Sequence, residues 1–136
     1  MGQYYARPGR LVRSIANPIA MRLGVATTLV VKGRHTGVVR RTPVKVLEHH
    51  GARYLVSPRG ETEWVKNLRA SGEGHLRRWG SEKPFRAVEL PEGERRPIIE
   101  EYKRRYGAIQ FIGEHFRIRP DPADHPVFRI EPAQSP

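Results

Sequence analysis

The 136-residue sequence contains no cysteine. This excludes disulfide bonds, thiol catalysis and thiolate metal sites, and a reducing compartment is the natural interpretation. Long apolar runs are also missing, because the first 31 residues hold only a few consecutive apolar side chains. We therefore expect no secretory signal and no membrane span. A cytoplasmic protein is predicted, with a peripheral membrane position as the less favoured alternative.

Acidic residues are scarce as well. The chain has 25 Lys and Arg against 14 Asp and Glu, a formal net charge of +11. Such an excess favours a negative partner: nucleic acid, an anionic membrane surface or a phosphorylated small molecule. The length predicts a single domain over 1–136, in which residues 1–23 form an N-terminal helical extension. Its helix-like apolar spacing over 10–23 is interrupted by Pro18.

Most of the remaining chain reads as short strands. β-branched residues dominate 24–33 and 38–51, and the glycines of "GRHTG" between them indicate a tight hairpin. A second hairpin is centred on Gly80 and Ser81. Six strands, mostly in hairpins, predict a small antiparallel β-barrel with short flanking helices. The predicted strands are 24–33, 38–51, 52–57, 74–80, 84–90 and 126–132.

Two helices are expected between these strands. One covers 62–71, with Thr62 as its N-cap. The other follows Pro91 and stops at Gly107; its apolar face is accompanied by i,i+4 pairs between Glu100 and Arg104 and between Glu101 and Arg105. The apolar face comprises Ile98, Ile99, Tyr102 and Tyr106. Residues 107–124 are predicted to be irregular.

Common catalytic patterns are missing. The six histidines show no metal-ligand spacing, and the adjacent His49 and His50 should point to opposite faces of a strand. No serine lies in a nucleophile-elbow context, and the glycines match neither phosphate-binding fingerprint. We therefore expect no metal and no catalytic nucleophile.

The basic hairpin remains. Five basic residues surround one turn, with no acid before Glu48. They are Lys32, Arg34, Arg40, Arg41 and Lys45. The residues alone leave three interpretations open: a solvated strand edge, a phosphate-ligand site or a nucleic-acid surface. Further along, Asn67 shares a helix face with Trp64 and Leu68; such a buried amide needs partners, which could be the loop 57–62 or a ligand.

Taken in order, these stretches resemble the actinobacterial deazaflavin-dependent nitroreductase family. The segments are "LVVKGRHTGVVRRTPV", "YLVSPRGETEWVKNLRA", "GHLRRWG", "FRAVELP" and "HPVFRI", from about Thr27 to Ile130. The glycine–arginine turn followed by W-x-x-N-L-R is specific only as a pair. The resemblance implies a split β-barrel like that of the flavin mononucleotide (FMN)-binding proteins. It also implies coenzyme F420, a deazaflavin whose tail carries a phosphate and several glutamates.

The resemblance also implies positions for the coenzyme. The tail would lie along the basic hairpin, since arginine pairs well with phosphate. The backbone of 42–44 would lie beside the ring, the loop 57–60 would wrap it, and Trp64 and Asn67 would brace that loop. His35 and Arg59 depart from the family pattern. The implied cofactor residues are Lys32, Arg34, His35, Thr36, Arg40, Arg41, Thr42, Pro43, Val44, Ser57, Pro58, Arg59, Gly60, Trp64 and Asn67.

For the acceptor site the match is loose, with Tyr102 and Tyr106 as candidate substrate residues whose alternative role is core packing. The implied reaction is hydride transfer from reduced F420 to a quinone, an enone or a nitroaromatic compound. FMN is the second choice of cofactor. The alternatives are a non-catalytic barrel that binds FMN, haem or a fatty acid and, less favoured, a nucleic-acid-binding module. We expect no sequence-specific nucleic-acid binding, and either a monomer or a homodimer.

Overall fold

A computed structural model describes residues 27–133, with the backbone alone for Gln110. The predicted N-terminal helix over 10–23 lies outside the described residues. Within 27–133 no helix combines the length and the apolar character needed to cross a bilayer.

Seven antiparallel strands form one sheet. The strands are β1 (Thr28–Lys32), β2 (Val39–Pro43), β3 (Val46–His49), β4 (Ala52–Val56), β5 (Glu73–Arg78), β6 (Ser81–Glu89) and β7 (Val127–Pro132). Their order in the sheet is β2-β1-β5-β6-β7-β4-β3. Consecutive hairpins account for the pairs β1–β2, β3–β4 and β5–β6, and the last strand inserts between β6 and β4.

The sheet order requires a barrel. β2 and β3 are the two outer strands of the sheet, yet only Val44 and Lys45 separate them along the chain. Two residues span at most about 7 Å, so the sheet must curl until its two ends meet. The backbone N–H of Val44 donates to the carbonyl of Thr27 at 3.0 Å, so the β1–β2 pairing continues up to this junction. The expected mainly β split barrel is therefore confirmed.

The strand count is seven rather than the predicted six. The stretch 38–51 forms two strands, because β2 ends at Pro43, which lies opposite Thr28 and has no N–H to donate to the ladder. The chain then leaves β1, and β3 pairs with β4 instead. The expectation for His49 and His50 is also wrong. His50 occupies a turn with a positive φ of 51°, which brings the two imidazole rings to 4.0 Å.

Three α-helices are described: α1 (Glu63–Ser71), α2 (Arg96–Tyr106) and α3 (Gln110–Ile118). α1 begins after Thr62 as predicted, although the Thr62 hydroxyl makes no capping hydrogen bond. α2 buries the predicted face and ends at Gly107. Its ion pairs are i,i+3, between Glu101 and Arg104 and between Glu100 and Lys103, and not i,i+4.

α3 corrects the prediction that 107–124 is irregular. Ile112 and Phe116 lie one helical turn apart and are both buried, which gives α3 an apolar face. Gly113 permits this packing, because a Cβ there would lie 2.5 Å from the carbonyl oxygen of Gly107. The two glycines resemble loop residues in the sequence, but here they allow a close approach of two helices.

Two apolar clusters hold the barrel and its helices together. One fills the barrel beneath α1, around Leu29, Leu68 and Phe128. The other lies between the sheet and the pair α2–α3, around Leu47 and Tyr102. The junction between β2 and β3 and the loop after β4 therefore lie where both helix layers approach the barrel.

Candidate functional site

A cleft of about 790 Å³ opens at the junction between β2 and β3. One side is formed by residues 42–45 and another by the loop after β4, while Tyr102 of α2, Ile109, Phe111 and Ile112 supply an apolar wall. The volume lies within the range of small-molecule and cofactor sites. The lining residues are Thr42, Pro43, Val44, Lys45, Val56, Ser57, Pro58, Arg59, Thr62, Glu63, Trp64, Tyr102, Ile109, Phe111 and Ile112.

The loop 57–60 is a tight turn that is fixed from both sides. Ser57 is fully buried, and its hydroxyl donates to the carbonyl of Gly60 at 2.6 Å. The buried His125 contacts the carbonyl of Ser57 through Nδ1 at 3.0 Å and that of Arg119 through Nε2 at 2.5 Å. Gly60 has a φ of +88°, and a Cβ there would lie 3.2 Å from the carbonyl of Asp124. The turn thus presents Pro58 and Arg59 to the cleft from a rigid base.

The β2 strand brings the basic hairpin to the same cleft. Thr42 and Pro43 line the cleft, and Arg40 and Arg41 precede them on the strand. Arg40 lies opposite Val31 and Arg41 opposite Val30, so the two arginines lie on opposite faces, as expected. Lys32 lies opposite Val39. All three cations are exposed, and no carboxylate of residues 27–133 lies within ion-pair distance of them.

Arg34 differs from its basic neighbours. Its guanidinium donates from Nη1 to Glu63 Oε1 at 3.0 Å and to Asn67 Oδ1 at 2.8 Å, and its backbone N–H donates to the same Oδ1 at 3.0 Å. The buried Asn67 therefore ties the hairpin turn to α1, and its oxygen does not hold the loop 57–62. The Arg34 hydrogen bond lowers the pKa of the exposed Glu63 below its ordinary value.

The other turn residues lie farther from the cleft. His35 and Thr36 are exposed, and the Thr36 hydroxyl accepts from the backbone N–H of Val38 at 3.2 Å. Neither residue lines the cleft. Their expected part in cofactor binding stays a prediction.

Trp64 and Thr62 join the cleft to α1. The partly buried Trp64 ring lies 6.1 Å from the Phe128 ring, so it packs on the barrel core and lines the cleft at the same time. The Thr62 hydroxyl is buried without a hydrogen-bond partner. A buried hydroxyl without a partner costs free energy, because it has lost its hydrogen bonds to water. The Thr62 hydroxyl is therefore a polar group in the cleft lining that a ligand could satisfy.

The two candidate substrate tyrosines line different cavities. Tyr102 lines the cleft and is 2% exposed, and burial raises the pKa of its hydroxyl well above the ordinary value. Tyr106 lies one helical turn later and lines a second cavity of about 500 Å³ instead. Its hydroxyl donates to the carbonyl of Val46 at 2.8 Å, which is a core role. Burial raises the pKa of Tyr106 as well.

Several cleft residues were not predicted. Thr62 was interpreted only as a helix N-cap, and Lys45 only as one member of the basic hairpin. Ile109, Phe111 and Ile112 belong to a stretch predicted to be irregular, so its apolar spacing was the missed signal. Lys45 is partly buried, and desolvation lowers its pKa to about 8. Among the described residues, no cluster of His, Asp and Glu is arranged to hold a metal ion.

Comparison with known proteins decides the family. Residues 8–110 match the family described as F420H(2)-dependent quinone reductase. The chain belongs to this family. The expected enzyme class, an F420-dependent reductase, and the expected coenzyme F420 are thereby confirmed. No curated protein matches the chain.

Solved structures agree on the fold. An F420-H2 dependent reductase, FDR-A, is 21% identical with a TM-score of 0.54, over 77% of this chain and 92% of that one. Atu2129 from Agrobacterium tumefaciens, of unknown function, is 15% identical with a TM-score of 0.62; the match covers 88% of this chain but only 56% of Atu2129. The haem storage protein HutZ from Vibrio cholerae is 9% identical with a TM-score of 0.57, over 87% and 89% of the two chains.

The residues of the cleft fit F420. A polyanionic tail requires cations that are free of carboxylates, and Lys32, Arg40 and Arg41 meet this condition on the strands leading into the cleft. A flat ring requires backbone and apolar surface. β2 pairs only with β1 among the described strands, so one side of its backbone is left for a ligand beside Pro43.

Proposed function

We propose that this protein transfers a hydride from reduced F420 to a quinone. F420, when bound, supplies the hydride. Residues 42–44 and the turn 57–60 hold the ring between them, and the apolar side chains of Ile109, Phe111 and Ile112 cover the acceptor. Lys32, Arg40 and Arg41 bind the tail.

The observation that carries the proposal is the position of the unpaired cations relative to the cleft. The basic hairpin leads directly into an enclosure that has rigid backbone on one side and aromatic and aliphatic side chains on the other. The basic hairpin suits a tail of phosphate and glutamates. The enclosure suits two flat rings, those of the coenzyme and of the acceptor. A nucleic-acid surface would need several exposed aromatic residues along the same strip, and beside Thr36, Val38 and Val39 the hairpin exposes a single one there, His35.

Tail and ring make different demands on the protein. The tail is remote from the reacting carbon, so its contacts contribute binding energy that the ground state and the transition state share. The ring and the acceptor must be aligned, which the fixed turn at Ser57 and the Trp64 platform can provide. Exclusion of water by Ile109, Phe111 and Ile112 protects the hydride transfer from solvent.

The experiment has two steps. Fluorescence titrations with F420 and with FMN measure the two dissociation constants, and we expect tighter binding of F420 that weakens as salt rises. Reduced F420 is then mixed anaerobically with menadione, cyclohexenone or nitrofurazone, and the return of the visible absorbance of oxidised F420 is followed. We expect the fastest reaction with menadione.

Three results would contradict the proposal. Equal or tighter binding of FMN would remove the role of the tail. Binding of F420 without reaction with any acceptor would indicate the non-catalytic alternative. A faster reaction with nitrofurazone than with menadione would change the acceptor class. The oligomeric state, monomer or homodimer, stays a prediction that light scattering of the purified protein can test.

A further inference from the structure

Lys45 occupies an unusual position in the cleft. It follows Val44 at the junction of the two outer strands, lines the cleft and is partly buried. Its Nζ lies 5.8 Å from the centroid of the Tyr106 ring. No carboxylate within residues 27–133 lies within ion-pair distance of this ammonium group. A cation that is removed from water without a carboxylate partner is available to an anion in the cleft.

Tyr102 supplies a second polar group to the same cleft. It is 2% exposed, lines the cleft, and its hydroxyl makes no hydrogen bond to any other described residue. Its ring lies 5.1 Å from the Tyr106 ring, and the Lys45 ammonium lies 5.8 Å from the centroid of that same ring, so both groups are neighbours of Tyr106. Burial keeps this hydroxyl protonated, which makes it a hydrogen-bond donor. The α2 side of the cleft thus offers an ammonium and a hydroxyl beside apolar residues.

We propose that Lys45 is the proton donor to the reduced acceptor and that Tyr102 donates a hydrogen bond to the same oxygen. This inference rests on the proposed function, because the acceptor must gain a hydride in this cleft.

The step balances as follows. A quinone that accepts a hydride from reduced F420 forms one new bond to hydrogen and gains two electrons, which leaves an oxyanion. The C–H bond that carried the hydride breaks, and F420 would be oxidised by the same two electrons. One N–H bond of the Lys45 ammonium breaks and an O–H bond of the hydroquinone forms. The neutral amine then takes a proton from solvent, so the lysine is restored in each cycle.

The protonation state of Lys45 suits this role. Desolvation lowers its pKa to about 8, so it is mostly an ammonium at neutral pH and can give up a proton readily. The titratable and charged groups that face the cleft are Tyr102 from α2, Arg59 from the turn after β4 and Glu63 at the start of α1. Tyr106 of α2 lies beneath the ammonium. Glu63 already pairs with Arg34, so it does not neutralise Lys45.

Variants of Lys45 test the proposal by single turnover. Lys45→Met removes the proton, and Lys45→Arg keeps the charge but cannot release a proton at these pH values. With saturating reduced F420 and menadione, we expect the native rate to fall as pH rises through about 8. Lys45→Met should be roughly a hundredfold slower, and both variants should lose the pH dependence. Lys83→Met, at an exposed lysine outside the cleft, is the control and should match the native protein.

A second measurement does not depend on turnover. The phenolate form of para-nitrophenol absorbs visible light, so a pH titration with and without protein reports how the cleft affects its ionisation. We expect the native protein to bind the phenolate in preference to the phenol. Lys45→Met should bind the phenolate at least tenfold more weakly, Lys45→Arg about as well as the native protein, and Tyr102→Phe a few-fold more weakly.

The outcomes separate the two proposals. If the native protein fails to oxidise reduced F420 with any quinone as the acceptor, the proposed function is wrong, and the proton-donor role is wrong with it. A native protein that is active while Lys45→Met and Lys45→Arg keep its rate and its pH profile overturns the role of Lys45 alone. Phenolate binding that is unchanged in folded Lys45→Met also overturns it. Thermal melts followed by circular dichroism establish that each variant is folded.

Discussion

Arginine has two different uses in this molecule. Near the end of α1, Arg69 forms bidentate pairs with Glu61, at 2.9 Å for both bonds, and with Glu89, at 2.7 and 2.8 Å. On β2, Arg40 and Arg41 have no carboxylate partner among the described residues. The same side chain therefore joins elements where carboxylates converge on it and is free for a ligand where they do not. The partners distinguish the two uses, and the residue type does not.

The region around Arg69, where arginines pair with carboxylates, also contains a buried arginine. Arg95 is 8% exposed and donates to the carbonyls of Leu90 and Ala123, both at 3.2 Å, and to Glu89 at 3.4 Å. The loop after β6, the start of α2 and the short 3₁₀ turn over 122–124 meet at this guanidinium. Because Glu89 also pairs with Arg69, the network connects α1 to α2 across β6. We call this group the structural arginine network.

The largest effect should come from Arg95→Met. The change removes the guanidinium donor from the buried carbonyl of Leu90 and the partly buried carbonyl of Ala123, and we expect the free energy of unfolding to fall by about 3 kcal/mol. Urea unfolding followed by circular dichroism measures it. Arg40→Met, the matched control on β2, should change stability by no more than about 0.5 kcal/mol. If both variants lost the same free energy of unfolding, the arginines of β2 would be as structural as Arg95, and the distinction would be wrong.

The next largest effect should be on cofactor affinity. Arg40→Ala and Arg41→Ala should each lose one charge-assisted contact to the F420 tail, which is about 1.5–3 kcal/mol or roughly ten- to a hundredfold in Kd. The single-turnover rate from bound cofactor should stay unchanged, because the ground state and the transition state of the complex lose the same contact energy. Fluorescence titration and stopped-flow absorbance measure the two quantities.

Arg77→Ala is the control for that experiment. Arg77 is exposed on β5 and lies outside the lining of the cleft. Its loss should change neither Kd nor rate. If Arg77→Ala weakens F420 as much as Arg41→Ala does, the net charge of +11 binds the tail without a defined site.

Arg34 belongs to the basic hairpin, yet it pairs with a carboxylate as Arg69 does. Asn67→Leu tests whether its role is structural. The variant removes the acceptor for two donors of Arg34, so we expect a loss of about 1–2 kcal/mol in the free energy of unfolding. F420 binding should weaken only a few-fold, through a less ordered turn. Asn67→Asp keeps the acceptor and should be close to the native protein. If Asn67→Leu is fully stable but fails to bind F420, Arg34 belongs with the unpaired cations.

The smallest effect should appear in acid. Arginine hydrogen bonds lower the pKa values of Glu61 and Glu63 below their ordinary value of 4.5. A lowered carboxyl pKa stabilises the folded state above the ordinary value, and this contribution disappears as pH falls through the lowered pKa. Both groups are largely exposed, so the change should be small. The stability difference between the native protein and Glu61→Gln should shrink between about pH 6 and pH 3; a constant difference would mean that the pair contributes nothing through charge.

The parts of the fold that were predictable are those with a local signal. The tight turns at "GRHTG" and at Gly80 set the hairpin positions, and the spacing of Ile98, Tyr102 and Tyr106 indicated the buried face of α2. α3 was missed because its glycine and short length resemble a loop. It is stabilised by Phe116 packing on Tyr102 and His125, at 6.1 and 4.4 Å, which are contacts from α2 and from beyond α3.

The candidate site shows the same division. The basic residues of the hairpin could be listed from the sequence, and the family resemblance indicated what they bind. Which of them were already neutralised could not be known, because Glu63 and Asn67 lie about thirty residues from Arg34 along the chain. Likewise, the spacing of Tyr102 and Tyr106 places them on one helix face, but the packing of α2 against the barrel sends one to each cavity.

By itself, the sequence determined the charge, the absence of thiol chemistry, the hairpins and the family. These depend on composition and on neighbours along the chain. Tertiary structure alone decided which cations remain unpaired and that Lys45 is desolvated at the junction of the two outer strands. The physical reason is that pairing and desolvation depend on distances through space. Those distances arise only when the sheet curls and brings β2, β3 and the helices together around one cleft.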